Sequence, residues 1–208
     1  MSADVEDSAA ESKLVNRRAG RRLEYFTLGW NLTEAAVAIG AGVIAGSTAL
    51  VGFGADSLIE SLSGGILLWR LQAHADERRE QLALKLVGIS FLVLALYVTA
   101  DAAWSLLKQE EPEKSLIGII LSIVSLIVMP LLARAKRHVA ARLKSRALHA
   151  DSRQTDICAY LSAILLGGLL LNALLGWWWA DAVAALAMVP IIGNEGVAAI
   201  KAERCDNC

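Results

Sequence analysis

Six stretches of mostly apolar residues, each about twenty residues long and separated by short polar segments, leave this 208-residue chain little choice of fold. They fall near Tyr25–Ala45, Thr48–Trp69, Leu84–Leu107, Ser115–Arg134, Ala150–Leu175 and Trp177–Ile200. A bilayer core about 30 Å thick is crossed by ~20 residues of helix, and lipid offers no partner to an open backbone, so each stretch is expected to span as a helix. Composition agrees, with 56% hydrophobic residues and a mean hydropathy of +0.50, well above an ordinary soluble domain. The expected architecture is an all-α membrane protein of six transmembrane helices, with both termini cytoplasmic and no soluble C-terminal domain. Residues 1–22 read as a disordered, basic-ended cytoplasmic tail, 23–200 as the membrane domain, and 201–208 as a short cytoplasmic tail.

The near-zero net charge, −1, conceals a strong asymmetry. Lys13, Arg17, Arg18, Arg21 and Arg22 precede the first stretch; Arg70, Arg78, Arg79 and Lys85 follow the second; Arg134, Lys136, Arg137, Arg142, Lys144 and Arg146 follow the fourth. The alternate connections carry only Lys108 and Lys114, beside Glu110, Glu111 and Glu113. Six spans with the basic side in the cytoplasm satisfy the positive-inside rule. The basic residues are thereby explained as orientation signals, so nucleic-acid binding is not expected. Trp104, Trp177, Trp178 and Trp179 fall at the outer interface, and Tyr25 and Trp69 near the inner one, where amphipathic rings anchor. No cleavable signal segment is visible, because the first two dozen residues are polar.

Within this apolar frame the second stretch carries Asp56 and Glu60. A spacing of four residues projects both carboxylates from one helix face, and ionisable groups at membrane depth mark ion or proton paths. Two buried acids side by side need a cation or a shared proton. Glu34, on the same helical side as Asn31, is a candidate to share a polar cavity with Asp56. Around the start of the fifth stretch stand Asp151, Gln154, Asp156 and Cys158. Asp151, Gln154, Thr155 and Cys158 share one helical face, and Asp156 points nearly opposite. Asp101 and Asp181 lie where they can cap a helix or reach interfacial water.

The segments Ala45-Gly-Ser-Thr-Ala-Leu-Val-Gly-Phe-Gly-Ala-Asp56-Ser-Leu-Ile-Glu60, Ser145-Arg-Ala-Leu-His-Ala-Asp151-Ser-Arg-Gln154-Thr-Asp-Ile-Cys158 and Gly176-Trp-Trp-Trp-Ala-Asp181 together resemble the transmembrane domain of the cation diffusion facilitators. The likeness runs from about Leu23 to Ile200 and is nearest to the short branch that includes the transmembrane protein 163 group and small bacterial cation transporters. The resemblance implies a four-ligand metal site, two ligands on the second span and two on the fifth. Asp56 and Glu60 match the first pair, and Gln154 and Cys158 the second in the favoured register; Ser152 and Asp156 are the alternative pair. Glu34 and Asp151, with Asp156, are secondary or pathway candidates.

Such a set of carboxylates, amide and thiol suits Zn²⁺, the favoured ion, and is compatible with Mn²⁺, Fe²⁺ or Cd²⁺. His74, His138 and His149 fall outside the spans, on the cytoplasmic side. Cys205-Asp-Asn-Cys208 supplies half a zinc site, either an idle tail or a metal-capturing one at the cytoplasmic mouth. The expected function is that of a secondary transporter, not an enzyme, exporting a divalent metal by proton antiport, with no resident cofactor. The alternative is a non-transporting membrane protein that binds metal and assembles with a partner. The expected setting is a bacterial inner membrane, as a homodimer whose partners are metal ions, protons and lipid. A Gly-rich nucleotide loop following a strand is not found in the sequence, so ATP-driven pumping by this chain is not expected.

Overall fold

In the computed structural model the described backbone covers residues 2–72, 77–109, 111–143 and 146–205, with described side chains chiefly between Arg18 and Lys201. Among these residues there are six helices: α1 (Ser2–Ala45), α2 (Thr48–Gln72), α3 (Glu77–Lys108), α4 (Leu116–Leu143), α5 (Arg146–Leu175) and α6 (Trp179–Cys205). The expectations for His74, for Cys208, and for the side chains of Trp69 and Cys205 fall outside the described residues.

Five helices contain segments long and apolar enough to cross a membrane: Arg18–Ala45, Lys85–Lys108, Leu116–Leu143, Asp151–Leu175 and Trp179–Lys201. The sixth helix, α2, is 25 residues long and carries two acids, Asp56 and Glu60. Its surroundings explain how it tolerates that polarity. It packs against α1, α3, α5 and α6, and Ala49, Leu50, Phe53, Asp56, Ser57, Ile59, Glu60 and Ser61 are all buried. A helix enclosed by other helices meets protein where a peripheral helix meets lipid. The outward faces of the others are apolar, with Ile44, Leu96, Leu107, Leu116 and Leu174 each more than two-thirds exposed.

Helical backbone runs unbroken from Ser2, through the residues read from sequence as a tail, into the first span. No Gly or Pro interrupts the sequence before Gly20, so nothing in it breaks the helix there. A Cβ at Gly20 would touch Val139, Leu143 and Leu148, so this part of α1 already lies along α4 and α5. At the other terminus α6 continues through Lys201 to Cys205, where a short tail was expected.

The helices associate most closely as α1 with α2, α3 with α6, and α4 with α5. Small residues set the tightest crossing, since lipid provides no hydrophobic drive for helix association. A Cβ on Gly88 of α3 would lie 2.8 Å from the carbonyl oxygen of Gly196, and one on Gly196 of α6 2.9 Å from that of Gly88. Phe53, Phe91, Met129, Leu161, Leu165 and Met188 fill the centre.

The short turns gather at one end. Gly46, at φ 65°, ends α1 in the left-handed conformation that glycine adopts without a Cβ penalty, and Ser47 N–H returns to Gly42 O at 2.9 Å. Glu113 N–H donates to Ala45 O at 2.7 Å, and Asn172 Nδ2 donates to Pro112 O at 2.9 Å, tying the 46–47 turn, the 109–115 loop and the end of α5 together. The neighbouring Trp177 and Trp179 stack with centroids 5.0 Å apart and remain partly exposed, as interfacial anchors would.

Candidate functional site

The position of α2 is set at its first turn. Ser47 caps the helix by accepting from Leu50 N–H at 3.1 Å. Asp181, from the start of α6, accepts from Ser47 Oγ at 2.5 Å and from Ala49 N–H at 3.3 Å, and Asp101 of α3 accepts from Thr48 Oγ1 at 2.7 Å. Two carboxylates from separate helices thus meet the positive end of the α2 dipole. Asp101 and Asp181 are structural anchors, one of the two roles open to them from sequence.

Eight residues beyond that end, about 12 Å along the axis, α2 presents Asp56, and Glu60 follows one turn later. They are 2% and 8% exposed, so the pair points into the bundle and not to lipid. Asn31 of α1 donates through Nδ2 to Glu60 Oε2 at 3.1 Å. Ser57 Oγ donates to Glu34 Oε2 at 2.9 Å, and Cys158 Sγ of α5 lies 3.8 Å from the same oxygen. Glu34, expected only as a secondary residue, is therefore the junction of α1, α2 and α5.

These bonds leave much of the polar capacity unused. Asp56 Oδ2, Glu34 Oε1 and Asn31 Oδ1 are buried without a hydrogen-bond partner among the described residues. Trp30 Nε1 and Ser125 Oγ stand beside Glu34 but short of hydrogen-bond geometry. Buried acids grouped in this way need a cation or a shared proton.

A cavity between α1, α2 and α5 reaches Glu60. Thr27 and Asn31 line it from α1, Ser61 from α2, and Gln154 and Thr155 from α5, with Glu24 and Asp151 also in its wall. Of the expected ligands, Glu60 and Gln154 share this space, and Cys158 lies one turn deeper against Glu34. Asp156 does not join them. It turns to α4, where it pairs with Arg137 with both side chains partly exposed. Ser152 is buried, and its hydroxyl donates to His149 O at 2.6 Å. Among the described residues no group of three or more His, Cys, Asp or Glu side chains converges closely enough to hold one ion. Of the candidate ligands, Glu60 and Gln154 line the cavity, while Asp56 and Cys158 are buried outside its wall, so the four do not form a closed coordination shell.

Lys136 and Glu24 have no part in the sequence-based site, yet both are fully buried. Lys136 Nζ lies 3.5 Å from Glu24 Oε2 and also contacts Asp151 Oδ2. A signal was present: Met129, Leu132, Ala133, Lys136 and Ala140 follow one another at helical spacing on the buried face of α4. Lys136 occupies a core position in that series.

Comparison with known proteins follows the same lines. Transmembrane protein 163 of Xenopus laevis is 26% identical over 185 residues, covering 87% of this chain and 66% of its own length. The cation-efflux pump FieF of Shewanella oneidensis is 29% identical over 90 residues, 43% of this chain and 30% of its own. The chain thus spans just under two thirds of the first relative and less than a third of the second. Five helices of membrane-crossing length make it an integral multi-pass membrane protein. Its residues 26–203 match the family defined by the cation efflux transmembrane domain, and the chain belongs to that family.

Proposed function

We propose that this protein is a secondary transporter that exports a divalent metal cation, Zn²⁺ by preference, from the cytoplasm in exchange for protons. The observation that carries this reading is the trio of buried acids Glu34, Asp56 and Glu60, with Glu60 lining a cavity and an oxygen of Glu34 and of Asp56 unpartnered among the described residues. In this scheme α2 is the sixth span, both termini are cytoplasmic, and the basic ends of the helices face inward. A homodimer in a bacterial inner membrane is the proposed setting.

Asp56 and Glu60 bind the metal, and Gln154 and Cys158 complete its shell. The contact of Cys158 with Glu34, and the position of Gln154 in the cavity wall, favour this register over Ser152 and Asp156. Carboxylates and thiol must be free of protons to take the metal, so metal and protons exclude one another, which is the basis of antiport. Closing the ligands onto one ion requires α1, α2 and α5 to shift around the site, as alternating access does.

The dispersed ligands favour one other reading, a membrane protein that binds metal and assembles with a partner without moving the ion. Purified protein in liposomes with an imposed pH gradient tests both. Zn²⁺ flux in the wild type, lost in correctly folded Asp56→Asn and Glu60→Gln variants, supports export. Binding without flux supports the second reading, and neither binding nor flux rejects both.

A further inference from the structure

The cavity that reaches Glu60 also touches a charge cluster that the export scheme leaves unused. Glu24 of α1 and Lys136 of α4 are fully buried, and Asp151 of α5 completes the group. Two acids share one base. A buried ionic cluster of this kind is expensive compared with an apolar contact, so its persistence asks for a use. Glu24 Oε2 faces the ammonium at 3.5 Å, whereas Glu24 Oε1 is buried with no hydrogen-bond partner among the described residues. Glu24 and Asp151 both line the cavity, together with Gln154 and Glu60.

We propose that Glu24 and Asp151 form a second, inner cation site, occupied in this structure by the tethered ammonium of Lys136, which yields it to an incoming divalent metal. The ammonium is a point charge on a flexible four-carbon stem, suited to leaving and returning without backbone movement. It supplies one positive charge to two acids, whereas a divalent ion balances both and takes up the free oxygen of Glu24. The donors are all oxygen, which admits Mn²⁺ as well as Zn²⁺. When the ion moves along the cavity toward Glu60, Lys136 closes behind it and restores the resting pair. The role as an entrance rests on the export reading; the binding itself does not.

The test uses the full chain in detergent with Asp56→Asn and Glu60→Gln, so that the inner acids are read apart from the α2 pair. Zn²⁺ and Mn²⁺ are titrated by calorimetry, and thermal unfolding is followed with and without each ion. Adding Lys136→Met is expected to tighten binding of both ions by about tenfold or more, because a competing like charge is removed. The ions are also expected to raise the melting temperature of this variant more than that of its parent, since they replace the missing ammonium. Further addition of Glu24→Gln is expected to abolish both effects. Unchanged binding in the Lys136→Met protein, a gain that survives Glu24→Gln, or a low melting temperature that neither ion raises would overturn the proposal. Inner binding that persists when flux is absent removes export alone, and flux without inner binding removes this site alone.

Discussion

Asp181, at the first turn of α6, accepts a 2.5 Å hydrogen bond from Ser47, the residue that caps α2. A side chain 134 residues away in sequence thereby fixes the end of the helix that carries Asp56 and Glu60. The Asp181→Ala variant leaves the Ser47 hydroxyl and the Ala49 N–H without their acceptor in a buried site. A loss of about 1–3 kcal/mol is expected, on the scale of a buried hydrogen-bond partner or a helix cap. Thermal unfolding in detergent measures it, and a variant as stable as wild type would refute the anchoring role.

Crossing of α3 and α6 at Gly88 and Gly196 tolerates no added methyl group without movement. Gly196→Ala is expected to destabilise the bundle by about 1–3 kcal/mol through overpacking against backbone. Gly65→Ala serves as the control, because a Cβ there meets nothing within 4 Å. The melting temperatures of the two variants, measured side by side, decide the matter.

Register on α5 separates Cys158 from Asp156. Asp156→Asn should leave Zn²⁺ flux within about twofold of wild type, since it removes a partly exposed ion pair of small worth. Cys158→Ser should weaken Cd²⁺ and Zn²⁺ transport by about tenfold or more and affect Mn²⁺ far less, following ligand softness. The opposite ranking, measured as initial flux in proteoliposomes, would assign the ligand position to Asp156.

Glu34 is placed by the geometry at the centre of the polar cluster, with Ser57 and Cys158 on one oxygen. Glu34→Gln keeps the shape and removes the charge. It is expected to lower metal affinity by about tenfold, as loss of one nearby charge would, and to reduce the number of protons released on binding. Calorimetry in buffers of different ionisation enthalpy counts those protons. Metal affinity of the wild type should rise with pH, because binding displaces protons from its ligands.

Hydropathy alone makes five of the six expected spans legible, and a four-residue spacing is enough to turn Asp56 and Glu60 to the same side. The 100° step of a helix likewise separated Asp156 from Gln154 and Cys158 before any coordinates. Other features were hidden by explanations that were sufficient without being complete. Lys136 was absorbed into the inward bias of basic residues, although its helical position is that of a core residue. Glu24 falls just outside the first apolar stretch, Tyr25–Ala45, where an acid needs no partner, but α1 extends beyond that stretch and buries it there against its neighbours. The anchoring by Asp101 and Asp181 depends on contacts between distant helices that no local pattern carries.

The enclosure of α2 bears on biogenesis. Its two acids sit on a helix joined to α1 by a turn of only two residues, Gly46 and Ser47. A hairpin connected so tightly can form as soon as both arms are synthesised, leaving the acidic face uncovered until α5 and α6 emerge to sheathe it.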